Sequence, residues 1–288
     1  MHRIVRKKEL ASGTTLFEVE APDVARRAKP GQFVVIRIDE AGERIPLTIA
    51  DFDRETGTVT LVALSVGKTT IMLSKLNEGD LILDLAGPLG NPGEIIENGT
   101  VVCIGGGLGI APIYPIAREL KAKGNKVISI IGARNASLLF WEDRMKEVSD
   151  ELHIVTDDGS RGRKGFAVHP LMDLINAGVK LDRVIIIGSA IMMKVTAEAT
   201  RAHGIKTIVS LNPIMVDGTG MCGSCRVTVG GKVKFACVDG PEFDGHQVDF
   251  DELMARLRMY TGQEKLALER YTHEIEGVPQ CLSSRQQT

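Results

Sequence analysis

The chain has 288 residues, enough for about two domains at roughly 150 residues each and for a large buried core. Lys plus Arg is 35 and Asp plus Glu is 37, a net charge of -2, so there is no bulk electrostatic reason to bind nucleic acid or anionic lipid. Hydrophobic residues at 43% and charged residues at 25% exclude wholesale disorder, and aromatics at 4% argue against a stacking surface for single strands.

The opening stretch MHRIVRKKELASG is basic but has no apolar core, so no signal peptide is expected. Residues 3–6, 15–20, 33–38, 47–50, 58–63 and 81–85 alternate apolar and polar side chains between Gly, Pro, Asp and Asn turns. That spacing predicts short antiparallel strands closing into a barrel or sandwich across residues 1–98, interrupted by one helix near 69–76. From 99 to 211 the rhythm changes to strand, helix, strand. Strands are expected at 100–104, 126–131, 152–156, 183–187 and 207–211, and helices at 112–123, 140–148, 167–176 and 191–203. Gly124, Gly178 and Gly204 stand where helix C-termini fall. Five strands alternating with four helices predict a parallel, doubly wound sheet. The apolar run 101–117 holds four glycines and two prolines and is shorter than the ~20 residues of a membrane span. A cytoplasmic chain with no membrane partner is therefore expected.

The third part, 212–288, opens with a glycine-rich stretch holding three of the five cysteines. A helix is expected over 249–272, where Phe250, Leu253, Met254 and Leu257 share one face, followed by a polar tail from 277 to 288. Cys103 reads as core and Cys281 as a tail thiol.

Asp217, Cys222, Cys225 and Cys237 are spaced D-x4-C-x2-C-x11-C. Plant-type iron–sulfur sites use C-x4-C-x2-C and a distant cysteine, so the pattern needs only a carboxylate in place of the first thiolate. Two cysteines in a tight loop can ligate one iron, and the glycines at 218, 220 and 223 let the backbone turn N–H groups toward cluster sulfurs. A zinc site using His246 as fourth ligand stays open, although no second C-x2-C or paired histidine accompanies it.

Gly105-Gly106-Gly107-Leu108-Gly109 follows a strand and precedes a helix, the layout of a phosphate cradle. It is not a strict GxGxxG, and no acid follows strand 126–131, where Arg134 stands instead. Arg134 leaves NADP open beside NAD, and a tight connection with no ligand is also open. Gly188, Ser189 and Ala190 end the fourth parallel strand, followed by Met192 and Met193, which read as core. Asp157 and Asp158 end the third strand, as cleft residues or as solvated loop acids.

A strand-rich first third, a GGG-x-G-x-x-P turn, GSA-x-MM and a cysteine loop in this order resemble the ferredoxin–NADP reductase superfamily. The cysteine loop narrows the resemblance to electron-transfer subunits like that of dihydroorotate dehydrogenase type B. Asp217 makes the loop look more like the small subunits of NADH-dependent ferredoxin:NADP oxidoreductases, related to the sulfide dehydrogenase beta subunit. The resemblance implies a flavin-binding barrel carrying FAD, an NAD(H) domain and a [2Fe-2S] cluster. It implies that Arg44, Pro46, Leu47, Thr48 and Ile49 form the flavin motif, with Thr48 near flavin N5. Leu47 replaces the usual aromatic, and Arg44 sits one position early. Gly67, Lys68, Thr69 and Thr70 would hold the FAD pyrophosphate, or simply cap a helix. Gly87, Pro88, Leu89 and Gly90 match a turn bordering flavin and nucleotide. The implied partner is a larger flavoprotein with [4Fe-4S] clusters and an NADP(H) site, resembling the glutamate synthase small subunit, with ferredoxin served through it by electron bifurcation. Two rivals remain: the dihydroorotate-linked role, and a non-catalytic, zinc-stabilised nucleotide-binding module.

Overall fold

The computed structural model describes residues 1–276. Its first layer is an antiparallel sheet ordered β6-β1-β2-β5-β4-β3-β7, from β1 (His2–Ala11), β2 (Thr14–Glu20), β3 (Phe33–Arg37), β4 (Arg44–Asp53), β5 (Thr58–Leu64), β6 (Leu81–Ile82) and β7 (Asp84–Leu89). The strand expected at 81–85 is two strands that turn at Leu83. Its first half pairs with β1 and its second with β3, which nearly closes the ring. Period-two alternation drives this closure: Ile4, Phe17, Val19, Ile36, Ile49, Leu61 and Ile82 point inward and are almost fully buried. Leu73 of α2 (Lys68–Lys75) plugs the same core. A short helix α1 (Pro22–Arg27), unforeseen in the sequence, starts on Pro22 with Asp23 in its first turn.

The second layer contains every parallel strand expected: β8 (Thr100–Gly106), β9 (Lys126–Ala133), β10 (Glu151–Thr156), β12 (Arg183–Ile187) and β13 (Thr207–Ser210). Sheet order is β11-β10-β9-β8-β12-β13-β16, so strand order reverses between β8 and β12. Helices α3 (Ile110–Ala122), α4 (Glu142–Glu147), α5 (Val168–Asn176) and α6 (Ala190–Arg201) make the connections. Gly124, Gly178 and Gly204 take positive φ just past helix ends, as their spacing implied. The sequence did not announce the two-residue β11 (Arg163–Lys164) or the antiparallel edge β16 (Glu242–Asp244).

Between these layers lies the cysteine lobe. A hairpin of β14 (Arg226–Val229) and β15 (Lys232–Phe235) turns at Gly230-Gly231 and leads into α7 (Ala236–Asp239). The helix expected over 249–272 is two helices, α8 (Phe250–Leu257) and α9 (Thr261–Glu276), with Asp249 capping α8 through the Glu252 N–H at 2.9 Å. The tail from 277 and Cys281 lie outside the described residues. No helix among the described residues is long and apolar enough to cross a membrane.

Candidate functional site

β4 presents two chemistries because its side chains alternate. Leu47 and Ile49 turn into the barrel core at 8% and 1% exposure, so their side chains face away from any ligand outside the barrel. Arg44, Pro46 and Thr48 share the opposite, outer face. Of the five flavin-motif residues, three are therefore brought together on one surface.

At the start of α2, Thr70 Oγ1 accepts the N–H groups of Val66 and Gly67 at 3.1 and 3.0 Å. The N–H groups of Lys68, Thr69 and Thr70 have no partner within the helix, leaving donors and a positive dipole end for an anion. Thr69 donates its hydroxyl to Glu43 at 2.6 Å, which ties this helix to the residue preceding Arg44. Gly87, Pro88 and Leu89 are the end of β7, and Gly90 follows them.

In the parallel sheet, Gly109 sits where a Cβ would lie 2.1 Å from the Ile187 carbonyl oxygen, so only glycine permits this crossing of the turn over β12. A cleft of about 450 Å³ opens at the C-terminal ends of β9, β10 and β12, the place where open α/β sheets bind ligands. Its wall includes Arg134, Asp157, Phe166, Ser189, Ile191 and Met192. Asp158 is not part of it. Ser160 holds the Asp158 carboxylate through both its hydroxyl and its N–H, which lowers the Asp158 pKa. Met193 is fully buried as expected, but Met192 is not core. Its sulfur packs over Gly106 and Gly188, and the residue lines the cleft. Ser189 caps α6, and Ala190 is buried.

The four expected iron ligands form two pairs. Cys225 and Cys237 Sγ lie 3.2 Å apart and buried, while Cys222 is exposed. Asp217 Oδ2 accepts the Cys222 N–H at 2.8 Å, and Oδ1 accepts that of Thr219 at 2.7 Å. The Thr219 N–H bond is the main force holding the Asp217 pKa down, so the group is a carboxylate. Burial pushes the Cys237 thiol up to about 12, whereas the Ser224 hydroxyl lowers Cys222. The close sulfur pair is thus 225/237 rather than the two cysteines of the C-x2-C. Among the described residues no three His, Cys, Asp or Glu side chains converge on one point. Two pairs suit a two-iron cluster, in which each iron takes two protein ligands, better than one tetrahedral zinc. His246 is engaged elsewhere, with Nε2 3.0 Å from Thr200 Oγ1.

The lobe sits directly on the barrel. Cys225, Cys237, Met215 and Ala236 share one apolar cluster with Phe33 and Val35 of β3, and Leu89 of β7 packs against it. A Cβ on Gly218 would come within 2.8 Å of Leu89 and 2.9 Å of Val35.

Comparison with known proteins fits this arrangement. Residues 212–249 match the iron-sulfur cluster binding domain of dihydroorotate dehydrogenase B. The "Dihydroorotate dehydrogenase B (NAD(+)), electron transfer subunit homolog" of Thermotoga maritima is 52% identical, covering 94% of this chain and 95% of the relative. The electron transfer subunit from Bacillus mycoides is 32% identical over 83% of this chain and 94% of its own length. The chain belongs to the dihydroorotate dehydrogenase B electron-transfer subunit family.

A solved structure from work on flavin-based electron bifurcation by NADH-dependent reduced ferredoxin-NADP oxidoreductase matches this family member with a TM-score of 0.89 at 51% identity, covering 94% of this chain and 98% of that one. A ferredoxin NADP+ reductase from Neisseria gonorrhoeae shares the fold at 20% identity and a TM-score of 0.58, covering 70% of this chain and 90% of that one. This electron-transfer subunit is thus an oxidoreductase component with the ferredoxin reductase fold.

Sequence reasoning missed two polar groups, one half-buried and one with a buried oxygen. Asp51 binds Arg118 Nη1 at 2.7 Å and also pairs with Arg144. Glu242 Oε1 is buried with no hydrogen-bond partner. An aspartate inside the apolar run Leu47-Thr-Ile-Ala-Asp51-Phe52 was the available signal for the first, whereas Glu242 lay in a stretch that gave no strand signal.

Proposed function

We propose that this chain exchanges hydride with NAD(H) through FAD and passes single electrons through a [2Fe-2S] cluster to a larger subunit, within an NADH-dependent reduced ferredoxin:NADP oxidoreductase. When bound, the flavin converts two-electron into one-electron chemistry and the cluster provides a one-electron exit. Arg44, Pro46 and Thr48 would hold the flavin from the outer side of β4, with the Thr48 hydroxyl as the hydrogen-bonding group offered to it. The free N–H groups of Lys68, Thr69 and Thr70 hold the pyrophosphate, and Gly87 to Gly90 border the ring. The cleft beside Asp157 and Met192 takes NAD(H), with Gly105 to Gly109 and Gly188 to Ala190 along its phosphates and nicotinamide. Asp217 and Cys222 serve one iron and Cys225 and Cys237 the other.

The observation that carries this reading is the shared apolar cluster of Cys225, Cys237, Phe33 and Val35, which seats the cysteine lobe on barrel strands β3 and β7. The division follows as a barrel over 1–98, a nucleotide domain over 99–211 and a cluster region over 212–288. The partner proposed is a flavoprotein with [4Fe-4S] clusters and an NADP(H) site, through which ferredoxin is reached, in the cytoplasm. A dihydroorotate-oxidising partner is the second reading, favoured by the family match over 212–249; co-purification separates the two. The test is cofactor analysis after anaerobic purification. One FAD with about two irons and two labile sulfides per chain is expected, and a colourless protein holding one zinc overturns the proposal.

A further inference from the structure

Asp51 occupies a position that plain strand alternation would not give it. Ile45, Leu47 and Ile49 point into the barrel, so strict alternation would send residue 51 inward too. The ladder between β4 and β5 slips between Ile49 and Asp51. A bulge re-aims the side chain it carries. Here it turns Asp51 outward, toward the nucleotide domain, and lets Phe52 pack back on the barrel core. Ala50, 1% exposed, lies in the same apolar cluster as Ile110, Ala111, Tyr114 and Ala117 of α3.

Four aromatic contacts stiffen the clamp that Asp51 makes, one of them Arg118 at 5.8 Å from the Phe52 ring centre. Its two oxygens divide between Arg118 of α3 and Arg144 of α4. The Arg144 guanidinium lies 4.1 Å from the Tyr114 ring centre and 4.3 Å from that of Trp141, and Arg118 lies 5.4 Å from Tyr114. Trp141 is held in the left-handed region at φ 58. One end of this clamp is the strand whose outer face bears Thr48, three residues earlier. The other is the helix that opens directly from Gly109.

We infer that Asp51 is a positioning residue for hydride transfer: its bridge to Arg118 and Arg144 fixes the outer face of β4 against the glycine turn that opens α3. The inference rests on the proposed function. The clamp touches neither flavin motif nor cleft, so its loss alters mutual geometry rather than the binding of either cofactor. Small misplacement of reacting groups carries a large rate cost.

The experiment uses the purified full chain under anaerobic conditions, with flavin bleaching by NADH followed in stopped flow across NADH concentrations. Asp51→Asn keeps shape and removes charge; Asp51→Glu keeps charge. The expected result for Asp51→Asn is a limiting reduction rate lowered at least about tenfold, with FAD content, NADH Kd and dithionite reduction as in the unsubstituted chain, and partial recovery in Asp51→Glu. An unchanged limiting rate, or a loss that tracks FAD release or NADH Kd, overturns the inference. If the unsubstituted chain carries no flavin, or its flavin is not bleached by NADH, the proposed function fails first and takes this inference with it.

Discussion

Glu242 offers a stability prediction that needs no cofactor. Its carboxyl lies in the seam where β16 meets the barrel loops, so close to Gly31 and Gly93 that a Cβ on either would stand 2.9 Å from Oε1. Burial raises its pKa from 4.5 to about 7, outweighing the pulls of the Arg183 guanidinium and of the Glu94 backbone; the Glu94 carboxylate, itself paired to Arg183 and Lys206, adds a smaller rise. A carboxylic acid with a raised folded-state pKa binds more protons folded than unfolded between the two values. Stability is then greatest below about pH 4.5, falls as pH rises, and levels off above about 7. At about 1.4 kcal/mol per pH unit over roughly 2.5 units, the loss is about 3 kcal/mol. Glu242→Gln removes the titration while keeping the shape. In urea unfolding, the variant and the unsubstituted chain should converge near pH 4, and the variant should be more stable at pH 8 by up to about 3 kcal/mol. Parallel pH profiles for the two proteins would refute the reasoning.

Three further outcomes follow from the site. Gly109→Ala forces a methyl against the Ile187 carbonyl and should cost about 1–3 kcal/mol, read as a lowered Tm together with weaker NADH binding. Asp217→Cys should retain the cluster with a shifted potential, and Asp217→Ala should lower its iron content; EPR spectra and potentials unchanged in both would show that Asp217 is no ligand. Asp157→Asn removes the one carboxylate among the cleft-lining residues and should raise the NADPH to NADH ratio of kcat/KM by about tenfold, or ~1.4 kcal/mol; an unchanged ratio places the 2′-position elsewhere.

Much of the architecture was legible because burial imposes a period. β8, β9, β10, β12 and β13 announce themselves as apolar runs between helical stretches, and the barrel strands alternate. What stayed hidden depends on partners distant in sequence. The β14–β15 hairpin offers only Arg226–Val229 and Lys232–Phe235, short and half exposed, and its turn of two glycines falls within a stretch already rich in glycine. The pairing of Cys225 with Cys237 requires α7, which no local pattern marks. Leu47 and Ile49 fall inside a motif, yet β4 turns them into the core, because neighbours on a strand cannot share a face. Met192 looks apolar and hence internal, but the bare backbone at Gly106 and Gly188 leaves room for its sulfur at the cleft. Asp51 needed a bulge that alternation alone does not foresee.

The central claim is that nicotinamide and iron communicate only through the flavin of this one chain. The chain would be reduced with dithionite, freed of excess reductant, and mixed anaerobically with NAD+. Each reduced chain holds three electrons, two on the flavin and one on the cluster, so the account predicts one NADH per chain as the flavin band returns, whereas a chain stripped of flavin keeps the EPR signal of its reduced cluster and forms no NADH. NADH formed, or the cluster signal lost, in the flavin-depleted chain would contradict it.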